Sequence, residues 1–134
     1  MNRIGKLGFL TVMILAISIA LISGGTFNTV QAAGNIYYID CSKLSNGDGA
    51  FETPWNDLYT VNAFTFSPGD SILFKRGTTC HGQLWPKGSG VSGKPIKIGA
   101  YGSGPRPVID GDYQVDPVLQ LYNQEYWEVA DLEV

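Results

Sequence analysis

The sequence contains few metal-ligating and few charged side chains. One histidine and two cysteines cannot supply the four ligands of a Cys/His structural zinc site, so this chain alone builds none. Only 16% of the 134 residues are charged, and residues 33–134 carry seven basic and twelve acidic side chains. An acidic excess offers no footprint for a phosphate backbone, so we expect no nucleic-acid partner. The length suits one domain or a piece of one.

Residues 1–32 have the pattern of a secretory signal. Arg3 and Lys6 precede an almost entirely apolar run over residues 9–22, and a small, polar stretch ends in a small-x-small motif at residues 30–32. This order is typical of a signal peptide cut after Ala32, or one residue later. The apolar run is shorter than the roughly 20 residues of a membrane-spanning helix, but an uncleaved anchor stays open as an alternative. We therefore expect a secreted, extracellular protein that meets the membrane only through its signal peptide, during export.

Export also suggests a role for the cysteines. Cys41 and Cys80 are the only pair, and an oxidising compartment favours a disulfide between them. Closing a loop of this length stabilises a fold by about 4 kcal/mol as an upper figure. Two separate buried thiols are the alternative.

Past residue 32 the chain has the pattern of short strands and one short helix. Residues 55–63 place Trp55, Leu58 and Val61 at helical spacing, after Thr53, which can cap, and Pro54, which suits the first helical position. Runs of β-branched, aromatic or alternating residues predict strands over residues 36–39, 71–75, 83–85, 96–101, 107–110, 118–122 and 126–134. Gly- and Pro-rich turns separate these runs. We therefore expect an all-β chain.

The spacing of the strands favours a repeat. Ile72, Ile96 and Val118 lie in strands that follow one another at intervals of 24 and 22 residues. Such intervals suit a solenoid of stacked rungs, in which each rung hydrogen-bonds to the next. A Greek-key sandwich has a similar density of short strands and is the alternative.

Several segments carry a resemblance to a known family. Residues 35–41, 53–58, 61–63 and 67–77 resemble the N-terminal region of secreted right-handed parallel β-helix repeat proteins of the pectate-lyase-like superfamily, and residues 95–104, 108–111, 126–129 and 132–134 are similar to its next rungs. The resemblance implies a right-handed parallel β-helix (solenoid). It implies an N-terminal cap region with a short helix over residues 33–70 and the first rungs over residues 71–134. It also implies that Trp55 packs over the first rung and that a Cys41–Cys80 bridge ties the cap to the first coil.

The same resemblance implies a polysaccharide as partner and an active site on later rungs. Lyases of this family abstract a proton with Lys or Arg beside Ca²⁺, whereas its glycoside hydrolases use a pair of carboxylates. These residues lie on central rungs, so no catalytic residue is assigned in this sequence. We expect the N-terminal part of a longer secreted protein, inactive by itself and without a cofactor, with Ca²⁺ a candidate for the full-length protein. A short solenoid with an open end that pairs with a partner is one alternative, and a non-catalytic glycan-binding or surface adhesion β-helix is another.

Local candidates for binding are few. Asp110, Asp112 and Asp116 place three carboxylates in seven residues, which suits Ca²⁺, but Asp-Gly pairs are ordinary turn formers and a turn is favoured over a metal site. The sequence shows no acidic partner for His81, which is interpreted as a surface loop residue. Lys75 and Arg76 follow a strand, where a solvated strand end is favoured over contact with a uronate.

Four aromatic residues are candidates for stacking on sugar rings: Trp85, Tyr101, Tyr122 and Trp127. Trp85 and Tyr101 are the selected pair, and Trp85 is favoured because it precedes Pro86 and a Gly-rich loop. Trp127 lies in an alternating strand, where packing is expected.

Overall fold

The computed structural model describes residues 33–134, and the predicted signal over residues 1–32 lies outside the described part. The described chain contains one helix and six short strands. In chain order these are β1 (Ile36–Ile39), α1 (Leu58–Ala63), β2 (Ser71–Lys75), β3 (Thr79–His81), β4 (Ile96–Tyr101), β5 (Val108–Asp110) and β6 (Trp127–Val129). Between residues 33 and 134 no helix has the length and apolar character needed to cross a membrane.

The strands pair in parallel. The larger sheet has the order β1-β2-β4-β6, and its register aligns Tyr37, Ile72, Ile98 and Val129 in one row. Strands β3 and β5 form a second, two-stranded parallel sheet. A Greek-key sandwich is built from antiparallel strands. All four pairings among the named strands are parallel, so this alternative is wrong for residues 33–134.

The core follows from the alternation of side chains along these strands. Ile72 and Phe74 of β2 are buried, as are Ile96 and Ile98 of β4, whereas the residues between them point away from the core. Ile109 of β5 belongs to the same hydrophobic cluster. Stacking in parallel register therefore places aliphatic side chains of successive strands in contact, and their burial stabilises the stack.

The helix begins later than the sequence predicts. It starts at Leu58 rather than Trp55, and its N-cap is Asp57, whose carboxylate accepts a hydrogen bond from the Thr60 amide at 2.7 Å. Trp55 is extended instead: its amide donates to the Tyr38 carbonyl at 3.0 Å, in a parallel bridge beside β1. Its ring stacks on Tyr37 with centroids 5.2 Å apart. Pairing with β1 removes Trp55 from the helix because one backbone segment cannot satisfy both hydrogen-bond patterns.

Other predicted elements are shorter in the structure or are replaced. The predicted strands 83–85 and 118–122 are reduced to an isolated parallel bridge between Leu84 and Leu119. The predicted strand 126–134 contracts to β6, because Tyr126 and Asp131 adopt positive φ angles of 56° and 57° that no strand accommodates. Strand β3 was not predicted, since three residues show no measurable alternation.

The predicted disulfide is present. Cys41, which follows β1 by two residues, is bonded to Cys80 of β3, with Cα atoms 5.3 Å apart. The alternative of two separate thiols is therefore wrong. The bond joins the segment after β1 to the two-stranded sheet.

Candidate functional site

A groove of about 540 Å³ opens beside helix α1, and we call it the aromatic groove. Its size falls in the range of about 300–1,000 Å³ that is usual for ligand sites. It lies among α1, the segment 85–87 and the segment 122–124. The lining residues are Tyr59, Asn62, Ala63, Trp85, Lys87, Tyr122 and Gln124.

Three aromatic rings give the groove its character. Tyr59, Trp85 and Tyr122 have 83%, 44% and 66% of their surfaces exposed, which is unusual for side chains of this size. Tyr59 is outward because α1 turns Leu58 and Val61 into the core. Each ring combines an apolar face with a polar edge, which is the surface that a sugar ring with its CH groups and hydroxyls complements.

Hydrogen bonds from two sides hold the middle segment of the groove. Asn62 of α1 accepts from the Trp85 amide at 2.7 Å and donates to the Gln83 carbonyl at 2.8 Å. From the opposite side, the side-chain amide of Gln124 donates to the Pro86 carbonyl. The Lys87 carbonyl accepts from the Phe66 amide at 2.9 Å. The backbone that presents Trp85 and Lys87 is thus fixed before any ligand arrives, which lowers the entropic cost of binding.

Lys87 provides the charge of the groove. Its side chain is exposed, and no carboxylate within residues 33–134 forms an ion pair with it. None of the lining residues is acidic. Glycoside hydrolases of the usual type require two carboxylates, so the aromatic groove has the composition of a binding site and not of a hydrolytic centre.

The structure separates the four aromatic candidates. It brings Trp85 and Tyr122 together in the aromatic groove, whereas Tyr101 lies elsewhere, with its ring centroid 5.0 Å from that of Tyr38 and 5.9 Å from that of Phe51. Burial raises the pKa of Tyr101 to about 12, with further contributions from Asp40 and Tyr38. Tyr101 is thus half-covered by other rings.

Trp127 packs as the alternating strand indicates. Its indole N–H donates to the Gly88 carbonyl at 3.1 Å, and its ring meets Phe66 edge-on. Both contacts hold the ring within the fold and leave it outside the residues that line the aromatic groove.

Lys75 forms an ion pair with a buried carboxylate. Asp40 is 1% exposed, and the Lys75 ammonium lies 2.7 Å from its Oδ2. Burial raises the pKa of the Asp40 carboxyl, but hydrogen bonds from Lys75 and Ser42 outweigh it and hold that pKa below its ordinary value. Arg76 pairs with Asp131 at 3.0 Å. Both basic residues are therefore paired within the chain.

The structure brings together two of the three carboxylates of the predicted acidic cluster. The pairing of β3 with β5 sets His81 beside Asp110, and Asp112 joins them, so that their ligand atoms lie within 4.8 Å of one another. Asp116 is outside this group. His81 lies 2.8 Å from Asp112, so the expectation that it has no acidic partner is wrong. Asp110 also accepts from the Asp112 amide at 2.8 Å, which is the local bond of a turn. All three side chains are exposed, so a cation there would have to compete with water.

Of the seven lining residues, the sequence predicts Trp85 and Tyr122 as candidates, and it misses the ring of Tyr59 and the charge of Lys87. Tyr59 would have been found by extending the helical period, because Leu58 and Val61 define the buried face and leave Tyr59 opposite. Lys87 has no comparable signal, since its place in the groove depends on the contact between residues 65–66 and 87.

Comparisons with known proteins find similarity to solved structures. No protein-family model matches the chain, and no curated protein matches it. The crystal structure of native GH136 lacto-N-biosidase from Eubacterium ramulus is similar, with 28% identity and a TM-score of 0.66 over 73% of this chain. Its selenomethionine derivative gives 29% identity and a TM-score of 0.58 over the same share. The chain spans 20% of the length of both structures. It is thus similar to one part of that enzyme.

Proposed function

We propose that residues 33–134 form the cap and first coils of a secreted right-handed parallel β-helix protein that acts on polysaccharide as a glycoside hydrolase. The observation that carries the proposal is the likeness to GH136 lacto-N-biosidase, at 28% identity and a TM-score of 0.66. Membership of the pectate-lyase-like superfamily stays a prediction.

The strand pairing supports the coil interpretation. The chain alternates between its two sheets, from β2 to β3, then to β4, β5 and β6. Ile72 pairs with Ile98, 26 residues later, and Ile98 pairs with Val129 after another 31. Each circuit thus returns the chain to the same sheet one strand further along, which is how a solenoid of stacked rungs grows. The region before β2 would form the cap, with α1 and the Tyr37–Trp55 stack covering the first rung.

The comparison supports hydrolysis as the type of reaction in this proposal. A lacto-N-biosidase is a hydrolase, and hydrolysis of this kind needs a carboxylate pair. The aromatic groove contains no such pair, so we place the catalytic carboxylates on coils that follow β6. A Ca²⁺ requirement would accompany the lyase alternative.

A second candidate function is a non-catalytic glycan-binding module. The aromatic groove favours it, since three exposed rings and no carboxylate suit binding without hydrolysis.

The test uses the secreted protein expressed from the complete reading frame that contains this chain. It is incubated with oligosaccharides that end in lacto-N-biose and with uronate polymers, while new reducing ends and ultraviolet absorbance of unsaturated products are measured. We expect new reducing ends without absorbance. Absorbance that disappears with a Ca²⁺ chelator would replace the hydrolase by a lyase, and binding without either product would favour the module. Residues 33–134 alone should show no turnover.

A further inference from the structure

We propose that the aromatic groove is a non-catalytic subsite for a carboxylate-bearing sugar, with the sugar ring on Trp85 and its carboxylate at the Lys87 ammonium. This inference rests on the proposed carbohydrate function and names the class of sugar that the groove takes. The ligand chemistry is a pyranose with one carboxylate, which a uronate or a sialic acid would supply.

Ring surfaces provide the apolar part of the binding. Trp85 is held in the middle of the groove by Asn62, and Tyr59 and Tyr122 line the groove with it. These three rings come from the helix, the central segment and the segment 122–124, so their arrangement depends on the tertiary fold. A patch of exposed aromatic surface around a concave site is the usual mark of recognition.

The charge of the groove selects an anion. Lys87 is the charged residue of the lining, and it has no carboxylate partner within the described residues. Residues 1–32 contain no Asp or Glu that could supply one. The chain as a whole has a formal net charge of −3, so a single unpaired cation beside three rings is a local reversal of sign. An exposed ammonium can donate hydrogen bonds to the hydroxyls of a neutral sugar, but it gains the additional charge attraction only from a carboxylate partner.

Gln124 of the groove lining helps to fix the central segment. The Oε1 atom of Gln124 is buried and accepts no hydrogen bond from the described residues. Its amide nitrogen is already used by the Pro86 carbonyl, which fixes the orientation of the side chain. Because this oxygen is shielded from solvent, it is not a contact for the sugar, and Gln124 contributes by holding the backbone beside Trp85.

Calorimetric titration of the secreted full chain tests the proposal. One pair of probes is trigalacturonate and its methyl ester, and a second pair is sialyllactose and lactose. The acid of at least one pair should bind about two- to fivefold more tightly than its neutral partner, the gain expected of an exposed ion pair. The responding pair identifies uronate or sialate as the source. Added salt at 0.5 M should remove most of this preference.

Matched variants separate the two parts of the site. Lys87→Gln should abolish the preference for the acid and leave binding of the neutral partner unchanged. Trp85→Ala should weaken both partners at least tenfold, while Trp85→Phe keeps a ring and retains most of the affinity. Lys43→Gln and Tyr113→Ala remove an exposed cation and an exposed ring outside the groove, and neither should alter binding. Thermal unfolding of each variant verifies that it is folded.

Equal binding of acid and neutral partners in both pairs would overturn the proposal, as would an unchanged preference in Lys87→Gln. Absence of binding by all four probes would also overturn it. These results leave the hydrolase proposal standing if the protein from the complete reading frame still cleaves glycans. Conversely, acid-selective binding without hydrolysis would retain the subsite and reject the hydrolase.

Discussion

Gly88 lies directly against the backbone of Phe66, and its replacement should be costly. A Cβ atom built on Gly88 would lie 2.2 Å from the Phe66 carbonyl oxygen, far inside van der Waals contact. The carbonyl of Gly88 also accepts the indole N–H of Trp127 at 3.1 Å. Gly88→Ala must therefore push the segment 85–88 away from residue 66, where the Phe66 amide donates to the Lys87 carbonyl.

Gly82 provides a matched control. Its φ angle of 109° is almost that of Gly88, at 111°, but a Cβ built on Gly82 meets nothing within 4 Å. Both alanine variants carry the cost of a positive φ, about 1–3 kcal/mol. Gly88→Ala adds the loss of one backbone hydrogen bond, about 0.5–1.5 kcal/mol, and the disturbed Trp127 contact of similar size. Gly88→Ala should thus be less stable than Gly82→Ala by about 1–3 kcal/mol.

Urea unfolding followed by tryptophan fluorescence measures this difference. For a domain of this size it corresponds to a Tm lower by roughly 4–8 °C for each kcal/mol. Gly88→Ala should also weaken sugar binding, because the displaced segment carries Trp85 and Lys87. Equal stability of the two variants would refute the close approach of residues 66 and 88.

Three further perturbations test other parts of the structure. Replacing Cys41 and Cys80 by serine should lower the free energy of unfolding by up to about 4 kcal/mol, read from urea midpoints, because the unfolded chain loses a closed loop; an unchanged midpoint would contradict a bond in the native protein. Lys75→Met should lower the free energy of unfolding by about 1–3 kcal/mol at pH 7, because the buried Asp40 carboxylate loses its ion-pair partner. Folding lowers the pKa of Asp40. The stabilisation that the charged Asp40 contributes is therefore complete above its unfolded pKa of about 3.9, and it is lost as the pH falls through the lower pKa of the folded state. The deficit of the variant in urea midpoints should therefore shrink below about pH 4, and a deficit independent of pH would argue against the ion pair. Ile98→Ala should lower the free energy of unfolding by about 2–5 kcal/mol, measured by chemical denaturation. Val129→Ala in the same row should lower it by less than about 1 kcal/mol, because Val129 is 42% exposed. Equal losses would contradict the burial pattern.

Local sequence signals were sufficient for the strands that bury alternate side chains. The runs at residues 36–39, 71–75 and 96–101 match β1, β2 and β4 to the residue, because their aliphatic alternation and the turns that bound them are encoded locally. The turn before β2 is equally local in origin, since Pro68 presets its own φ and Gly69 takes a positive φ of 92°.

Features that depend on contacts between distant segments were not predictable in this way. The spacing of Trp55 fits a helix, but its backbone pairs with β1 instead. This pairing is visible only in the folded chain. The pattern of residues 126–134 predicts one long strand, but positive φ angles at Tyr126 and Asp131 restrict it. Exposure of Trp85 could be expected from Pro86 and the glycines that follow, whereas its meeting with Tyr59 and Lys87 required the stacking of three segments.

A crystal structure of the secreted protein from the complete reading frame tests the β-helix proposal most directly. The strand that follows β6 in space should lie parallel to it, extend the row of Tyr37, Ile72, Ile98 and Val129, and continue the coil in a right-handed sense. Later coils should present a carboxylate pair in a lateral groove. An antiparallel strand on β6, or a β6 edge left uncovered by any further coil, would contradict the proposal.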